Sequence, residues 1–244
     1  MKNTCRTSRM VWAATLVMGL VAVASLASAD PGAVFFASFD SGVPPEFSGV
    51  TTTTGVQGYA GLGHGTDVFS GLMLHNDTGP YGEGAPLPTR LTLTGLPPHD
   101  HIELHFLLAI IDTWDGNSGG CDPDLVNVTV DGQLVFSESF TNFPDTHTAS
   151  YPDASTPPEV VLAQYVHLGF LDFEVDSAYD LGLEPVLQAI PHTANTVTIE
   201  WFASGAGWQG SYDESWAIDN VEVVVWSPTP VEQRSWGGVK ALFH

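Results

Sequence analysis

His101-Ile102-Glu103-Leu104-His105-Phe106-Leu107-Leu108-Ala109-Ile110-Ile111 decides the fold. Ile102, Leu104, Phe106, Leu108 and Ile110 recur at every second position, the period at which a β-strand returns its side chains to one face, and not at helical spacing. His101, Glu103 and His105 fall on the opposite face, so the stretch predicts a core strand with a polar outer side. Just upstream, Arg90-Leu91-Thr92-Leu93-Thr94 alternates and is stopped by Gly95-Leu96-Pro97-Pro98. Downstream, residues 125–130 turn through the hairpin dipeptide Asp131-Gly132 into residues 133–140. Further out, residues 34–39 are apolar, residues 196–202 place Val197, Ile199 and Trp201 on one face, and residues 216–226 are the most apolar strand. The first and last strands are expected side by side in the interior. Helical signal is confined to residues 158–168 and 178–189, each with room for a short helix, the second interrupted by Pro185. Short strands broken by Gly, Pro and Asp predict an all-β protein, an antiparallel jelly-roll β-sandwich.

The ends of the chain read differently. Lys2, Arg6 and Arg9 precede an apolar run over residues 11–26 and the small-residue pattern Ala27-Ser28-Ala29, the order of a cleavable signal peptide. The run is short of the roughly 20 apolar residues that span a bilayer. The expected organisation is therefore a signal peptide at 1–29, a sandwich at 30–226, and a tail at 227–244 that opens with the stiff spacer Ser227-Pro228-Thr229-Pro230. The protein is expected to be secreted, to the cell surface or the extracellular medium, with the periplasm also open. All 28 carboxylates and three of the six cations lie after residue 29, giving the mature chain a net charge of −25. That field repels phosphate backbones and excludes nucleic acid as a partner, while carboxylate and carbonyl oxygens suit calcium. Cys121 is the one cysteine after residue 29, so the domain depends on its core, on bound ions or on both.

Six motifs stand out along the chain: Gly71-Leu72-Met73-Leu74-His75-Asn76, Leu91-Thr92-Leu93-Thr94-Gly95-Leu96-Pro97-Pro98-His99, Ile111-Asp112-Thr113-Trp114-Asp115-Gly116, Val128-Thr129-Val130-Asp131-Gly132, Asp176-Ser177-Ala178-Tyr179-Asp180-Leu181 and Glu214-Ser215-Trp216-Ala217-Ile218-Asp219-Asn220-Val221. Together they look like those of a family of bacterial exported, lectin-like jelly-roll domains. The resemblance implies a fold and an extracellular setting and no reaction. The closing motif also resembles the last strand of carbohydrate-binding and adhesion jelly rolls, which implies Asp219 and Asp40 as ligands of a structural calcium. The alternative is that Asp40 caps a turn and Asp219 bonds a neighbouring backbone.

A second acidic cluster, Asp112, Asp115, Asp122 and Asp124 with Asn117, fits around one calcium ion in a loop whose glycines let the backbone turn; as a solvated loop it needs none. His99, His101, Glu103 and His105 at even spacing resemble zinc ligands on a strand, although a polar outer face accounts for them with less. Residues 174–180 distantly resemble the paired-carboxylate signature of jelly-roll endoglucanases, but Asp180 stands one residue too far along and is one methylene too short. With no complete catalytic motif, the expectation is that the chain is not an enzyme. Trp208, Tyr212 and Trp114 lie in Gly-rich or acidic loops and are the candidate sugar-stacking rings, with a polysaccharide or cell-surface glycan as partner. For each the alternative is a ring packed under its own loop, and for the protein a structural or adhesive surface role. Trp201, Trp216 and Trp226 are expected in the core.

Overall fold

The period-two stretch forms one long strand, β8 (His101–Asp112). The computed structural model describes residues 31–79, 86–117, 123–171, 174–211 and 213–226; the signal segment, the tail, Cys121, Asp122 and Tyr212 lie outside the described residues. In the first sheet the strands run β11 (Val161–Val166), β12 (Asp176–Asp180), β8, β15 (Glu214–Trp226), β6 (Leu72–Asn76) and β3 (Thr52–Gly55). β1 (Pro31–Ala37) joins it along β15, and β13 (Ile190–Pro191) along β8. In the second sheet the order is β10 (Gln133–Ser139), β9 (Leu125–Val130), β14 (Thr196–Ser204), β7 (Thr89–Thr94) and β2 (Phe47–Gly49). A small hairpin, β4 (Gly63–His64) and β5 (Asp67–Val68), stands apart. The pairings are antiparallel, and the chain crosses between these two sheets repeatedly, at β1–β2, β2–β3, β6–β7, β7–β8, β8–β9, β10–β11, β13–β14 and β14–β15, so the protein is an all-β jelly-roll sandwich.

Ile102, Leu104, Phe106, Leu108 and Ile110 of β8 point between the sheets, where Trp201, Trp216, Val126 and Val128 meet them. Burying each such side chain contributes about 1.5–3 kcal/mol, which is why the alternation fixes the register of β8. β1 pairs with β15 from Pro31 opposite Trp226 to Ala37 opposite Val221, so the first and last strands lie side by side as expected, but β1 is not interior: Gly32, Ala33 and Phe36 are exposed. At Asp131-Gly132 both residues have positive φ, 49° and 76°, the conformation of a two-residue hairpin turn.

Three other expectations change. The outer face of β8 is polar only in its first half; Leu107, Ala109 and Ile111 are covered by a second cluster built from Val56, Tyr59, Phe69, Met73 and Leu168. Residues 158–168 and 178–189 form no α-helix, only short 3-10 turns at Pro158–Val160, Leu181–Leu183 and Pro185–Leu187, because β11 and β12 are drawn into the first sheet beside β8. Trp226 ends β15 half-buried, its ring stacked on His101 with centroids 5.5 Å apart, while Trp201 and Trp216 are in the core as expected. No helix among the described residues is long and apolar enough to cross a membrane.

Candidate cation site

The inward rows of two strands end in carboxylates. Trp216 and Ile218 of β15 face the core, and the next position on that row toward the strand start is Glu214. Val126, Val128 and Val130 of β9 face the core from the other sheet, and the same row continues back to Asp124. Both carboxylates are 0% exposed. The sandwich interior thus closes, at the end of β8 marked by Asp112, with one acid from each sheet.

Residues 113–117, which follow β8, bring in the third group. They leave β8 at Asp112, whose φ of 67° turns the chain sharply, and they are held by Thr113 N–H to Asp213 O at 3.0 Å, Asn142 N–H to Trp114 O at 2.8 Å and Asp124 N–H to Gly116 O at 3.0 Å. Asp115 donates its N–H to Asp124 Oδ2 at 2.6 Å and has His147 Nε2 3.7 Å from its Oδ1. Asp115, Asp124 and Glu214 each place a carboxylate oxygen within 4.8 Å of the others, the one such group of metal-ligating side chains among the described residues. Glu214 Oε2 accepts the Gln209 N–H at 2.7 Å. Asp124 Oδ1 and Glu214 Oε1 are buried and receive no hydrogen bond from any group outside the pair. Burial raises the pKa of both acids, and Glu214 is raised further by the charge of Asp124 beside it. Two buried carboxyls in contact resist joint ionisation, so they hold a proton between them or a cation replaces it. Three oxygen donors of this kind match calcium, a hard ion.

Of the residues expected to hold calcium in this loop, the structure brings Asp115 and Asp124 together and leaves Asp112 out; Asp122 lies outside the described residues. Asp112 faces Asp176 instead, donating its N–H to Asp176 Oδ1 at 3.1 Å. Burial, reinforced by the charges of Asp176, Glu174 and Asp213, pushes Asp112 up to about 7. Glu214 is the member that the loop reading missed. The signal was present as an acid on the core-facing row of the last strand.

Asp40 and Asp219 are also neighbours, through the turn at Ser70 and Gly71, but backbone and hydroxyl donors occupy them. Asp40 Oδ1 accepts Leu72 N–H at 2.9 Å and its Oδ2 the Ser70 hydroxyl at 3.2 Å. Asp219 Oδ2 accepts Ser70 N–H at 3.2 Å and its Oδ1 its neighbour's Asn220 N–H at 2.8 Å. The turn-capping alternative describes this pair, and burial pushes Asp219 up to about 7.

The zinc array does not form. His99 precedes β8 and turns inward to His192, while His105 stands between Glu103 at 3.4 Å and Glu222 at 3.6 Å. The sugar-stacking assignment of Trp114 and Trp208 is corrected as well. Trp114 is 0% and Trp208 3% exposed, their rings meet at 5.0 Å, and their indole N–H groups bond Ser215 O at 2.8 Å and Thr78 O at 3.0 Å. Both rings pack beneath the loops that carry them, leaving no face free for a sugar. Tyr212 lies outside the described residues.

No family profile and no curated protein matches the chain. Solved structures do. The enzymatically active domain of tailspike protein 4 from bacteriophage CBA120 is 14% identical, with 77% of this chain and 20% of that one covered at a TM-score of 0.33. Dimeric latent PorU from Porphyromonas gingivalis is 12% identical, with 85% and 14% covered at 0.37. The Agl-KA catalytic domain is 8% identical, with 87% and 31% covered at 0.32. The chain spans less than a third of the length of each. The expectation that the chain is not an enzyme is not upheld by these likenesses, two of which are to an enzymatically active and a catalytic domain.

Proposed function

We propose that the protein is an exported β-sandwich binding module whose loop end is closed by a calcium ion held between its two sheets. The observation that carries this reading is the convergence of Asp115, Asp124 and Glu214 with two buried carboxylate oxygens left without donors. A divalent ion there joins the first sheet, through Glu214, to the second, through Asp124, and pins residues 113–117 by Asp115. Extracellular modules work with calcium affinities of about 10⁻⁴–10⁻³ M, so a site of three carboxylates completed by carbonyls or water is sufficient outside the cell. The ligand class we infer is a neutral polysaccharide, because a net charge of −25 after residue 29 turns away polyanions.

Two measurements test the reading separately. Calorimetric titration of the mature protein with calcium is expected to give one site that Asp124→Asn removes; an unchanged isotherm in that variant sinks the cation site. A glycan array and polysaccharide pull-down with calcium present test the ligand class, and silence in both leaves a structural, adhesive module as the reading.

A further inference from the structure

At the other end of β8 a second chain of polar side chains crosses between the sheets. His99, in the turn that leads into β8, is 4% exposed, and its Nδ1 lies 2.6 Å from Pro97 O. Its Nε2 lies 2.6 Å from Nδ1 of His192, which follows β13. His192 Nε2 in turn lies 3.1 Å from Oδ2 of Asp131, at the tip of the β9–β10 hairpin. The two imidazole planes are 12° apart with centroids 4.9 Å apart, and the nitrogen separation makes this an in-line, edge-to-edge contact rather than a stack.

Counting protons along this chain gives one too few for neutral histidines. Pro97 O is an acceptor only, so His99 Nδ1 carries a hydrogen. An ionised Asp131 is likewise an acceptor, so His192 Nε2 carries one as well. Two neutral rings then present bare lone pairs to each other at His99 Nε2 and His192 Nδ1, a repulsive contact at hydrogen-bond distance. Moving a hydrogen onto Asp131 cures the contact only by adding the same extra proton elsewhere. We infer that the His99–His192–Asp131 chain holds one bridging proton more than its neutral form, and that this proton is a pH-sensitive fastener between the two sheets.

The fastener has a sheet on each side. His99 leads into β8 and His192 N–H bonds Asp100 O at 3.2 Å, both belonging to the first sheet. Asp131 belongs to the second, where its Oδ1 accepts Thr198 N–H at 2.8 Å at the start of β14. The other titratable groups on the surrounding elements are Asp100 and His101, which pair with each other at 2.5 Å while His101 stacks on Trp226, and Glu46, which lines a cavity with Pro97. None of the interactions found for these groups supplies a proton to the His99–His192 contact. When the native state gives up that proton, the facing nitrogens repel and the hairpin tip parts from the turn before β8.

The test uses the mature protein in saturating calcium, which holds the carboxylate end constant. Nitrogen-resolved NMR from about pH 5.5 to about pH 8.5 is expected to show His99 and His192 losing one shared proton in a joint step, with His99 Nδ1 and His192 Nε2 protonated throughout. Two independent titrations, or two neutral rings at the acidic limit, overturn the inference. In denaturant, the unfolding constant of the wild type is expected to rise by up to about tenfold per pH unit more than that of His99→Gln above about pH 6.5, where the unfolded chain has given up its imidazole protons and the native chain keeps one. Equal slopes overturn it too, and because the NMR arm needs no variant, poor folding of His99→Gln leaves the inference decidable.

Discussion

Replacing Glu214 by glutamine is expected to change the sign of its effect with calcium. In chelator at about pH 7.5, Glu214 is buried against Asp124, and the pair must keep a proton that the unfolded chain does not. Holding a glutamic acid protonated about three units above its ordinary pKa of about 4.3 costs about 4 kcal/mol of folding free energy. Glutamine carries its own N–H donors and escapes this cost, and its amide can donate to Asp124 Oδ1, the oxygen that the wild type leaves without a donor. Its carbonyl can still take the Gln209 N–H, as Glu214 Oε2 does. The variant is therefore expected to be more stable than the wild type in chelator, by up to about 4 kcal/mol, which for a domain of this size is of order 10 °C in Tm. With calcium at about a hundred times its dissociation constant the wild type gains about 2.7 kcal/mol, whereas the variant, short of one anionic ligand, gains less than about 1 kcal/mol. Urea unfolding in chelator and in calcium, both proteins side by side, reads all four values. A variant less stable than the wild type in chelator, or one that gains as much from calcium, refutes the reasoning.

Asp219 is buried and raised to about 7, so the native state binds its proton where the unfolded chain has lost it, and its contribution to stability falls as pH climbs from about 4 to about 7; Asp219→Asn is expected to flatten that part of the pH profile, read by urea midpoints. Gly71→Ala places a Cβ against Asp40 Oδ1 at a φ of +53° and is expected to cost about 2 kcal/mol, checked by thermal unfolding. Trp208→Ala removes a ring packed on Trp114 and is expected to cost about 3–5 kcal/mol while leaving any glycan affinity of the folded protein unchanged, measured by calorimetry below the variant's Tm. Mass spectrometry of the exported protein is expected to find Asp30 as its first residue.

The sandwich was legible wherever one face of a strand carries the core. β8, β14 and the Asp131-Gly132 hairpin follow from period-two alternation and a single dipeptide, because burial of one face and a turn of fixed hand leave little freedom. The second apolar cluster was not legible. Tyr59 and Phe69 come from irregular chain around Gln57-Gly58-Tyr59 and beside the β4–β5 hairpin, and they meet Leu107 and Met73 only after the sheet has formed, so no local period announces them. Trp114 and Trp208 were misplaced for a related reason. Gly-rich and acidic neighbours describe the outside of a loop, and a large ring needs only one partner ring beneath it to be drawn inside. His99 shared the even spacing of His101 and His105, yet β8 begins after it, and the turn at Pro97 aims it at His192 instead.

The two acidic pairs separate on the supply of donors. Asp40 and Asp219 have four carboxylate oxygens and meet Leu72 N–H, Ser70 N–H, Asn220 N–H and the Ser70 hydroxyl, one donor to each oxygen. Such a pair does not call for an ion, because Asp40 is exposed to water and the buried Asp219 has a backbone N–H on each oxygen. Asp124 and Glu214 sit where strand rows run out between two sheets, and there the backbone offers Asp115 N–H to one oxygen and Gln209 N–H to another. The other two oxygens meet no N–H or hydroxyl from the surrounding chain. Acidity alone therefore did not distinguish the sites: Asp40 and Asp219 carry the stronger family resemblance, but the donor deficit lies with Asp124 and Glu214, which is why the proposed ion is placed there.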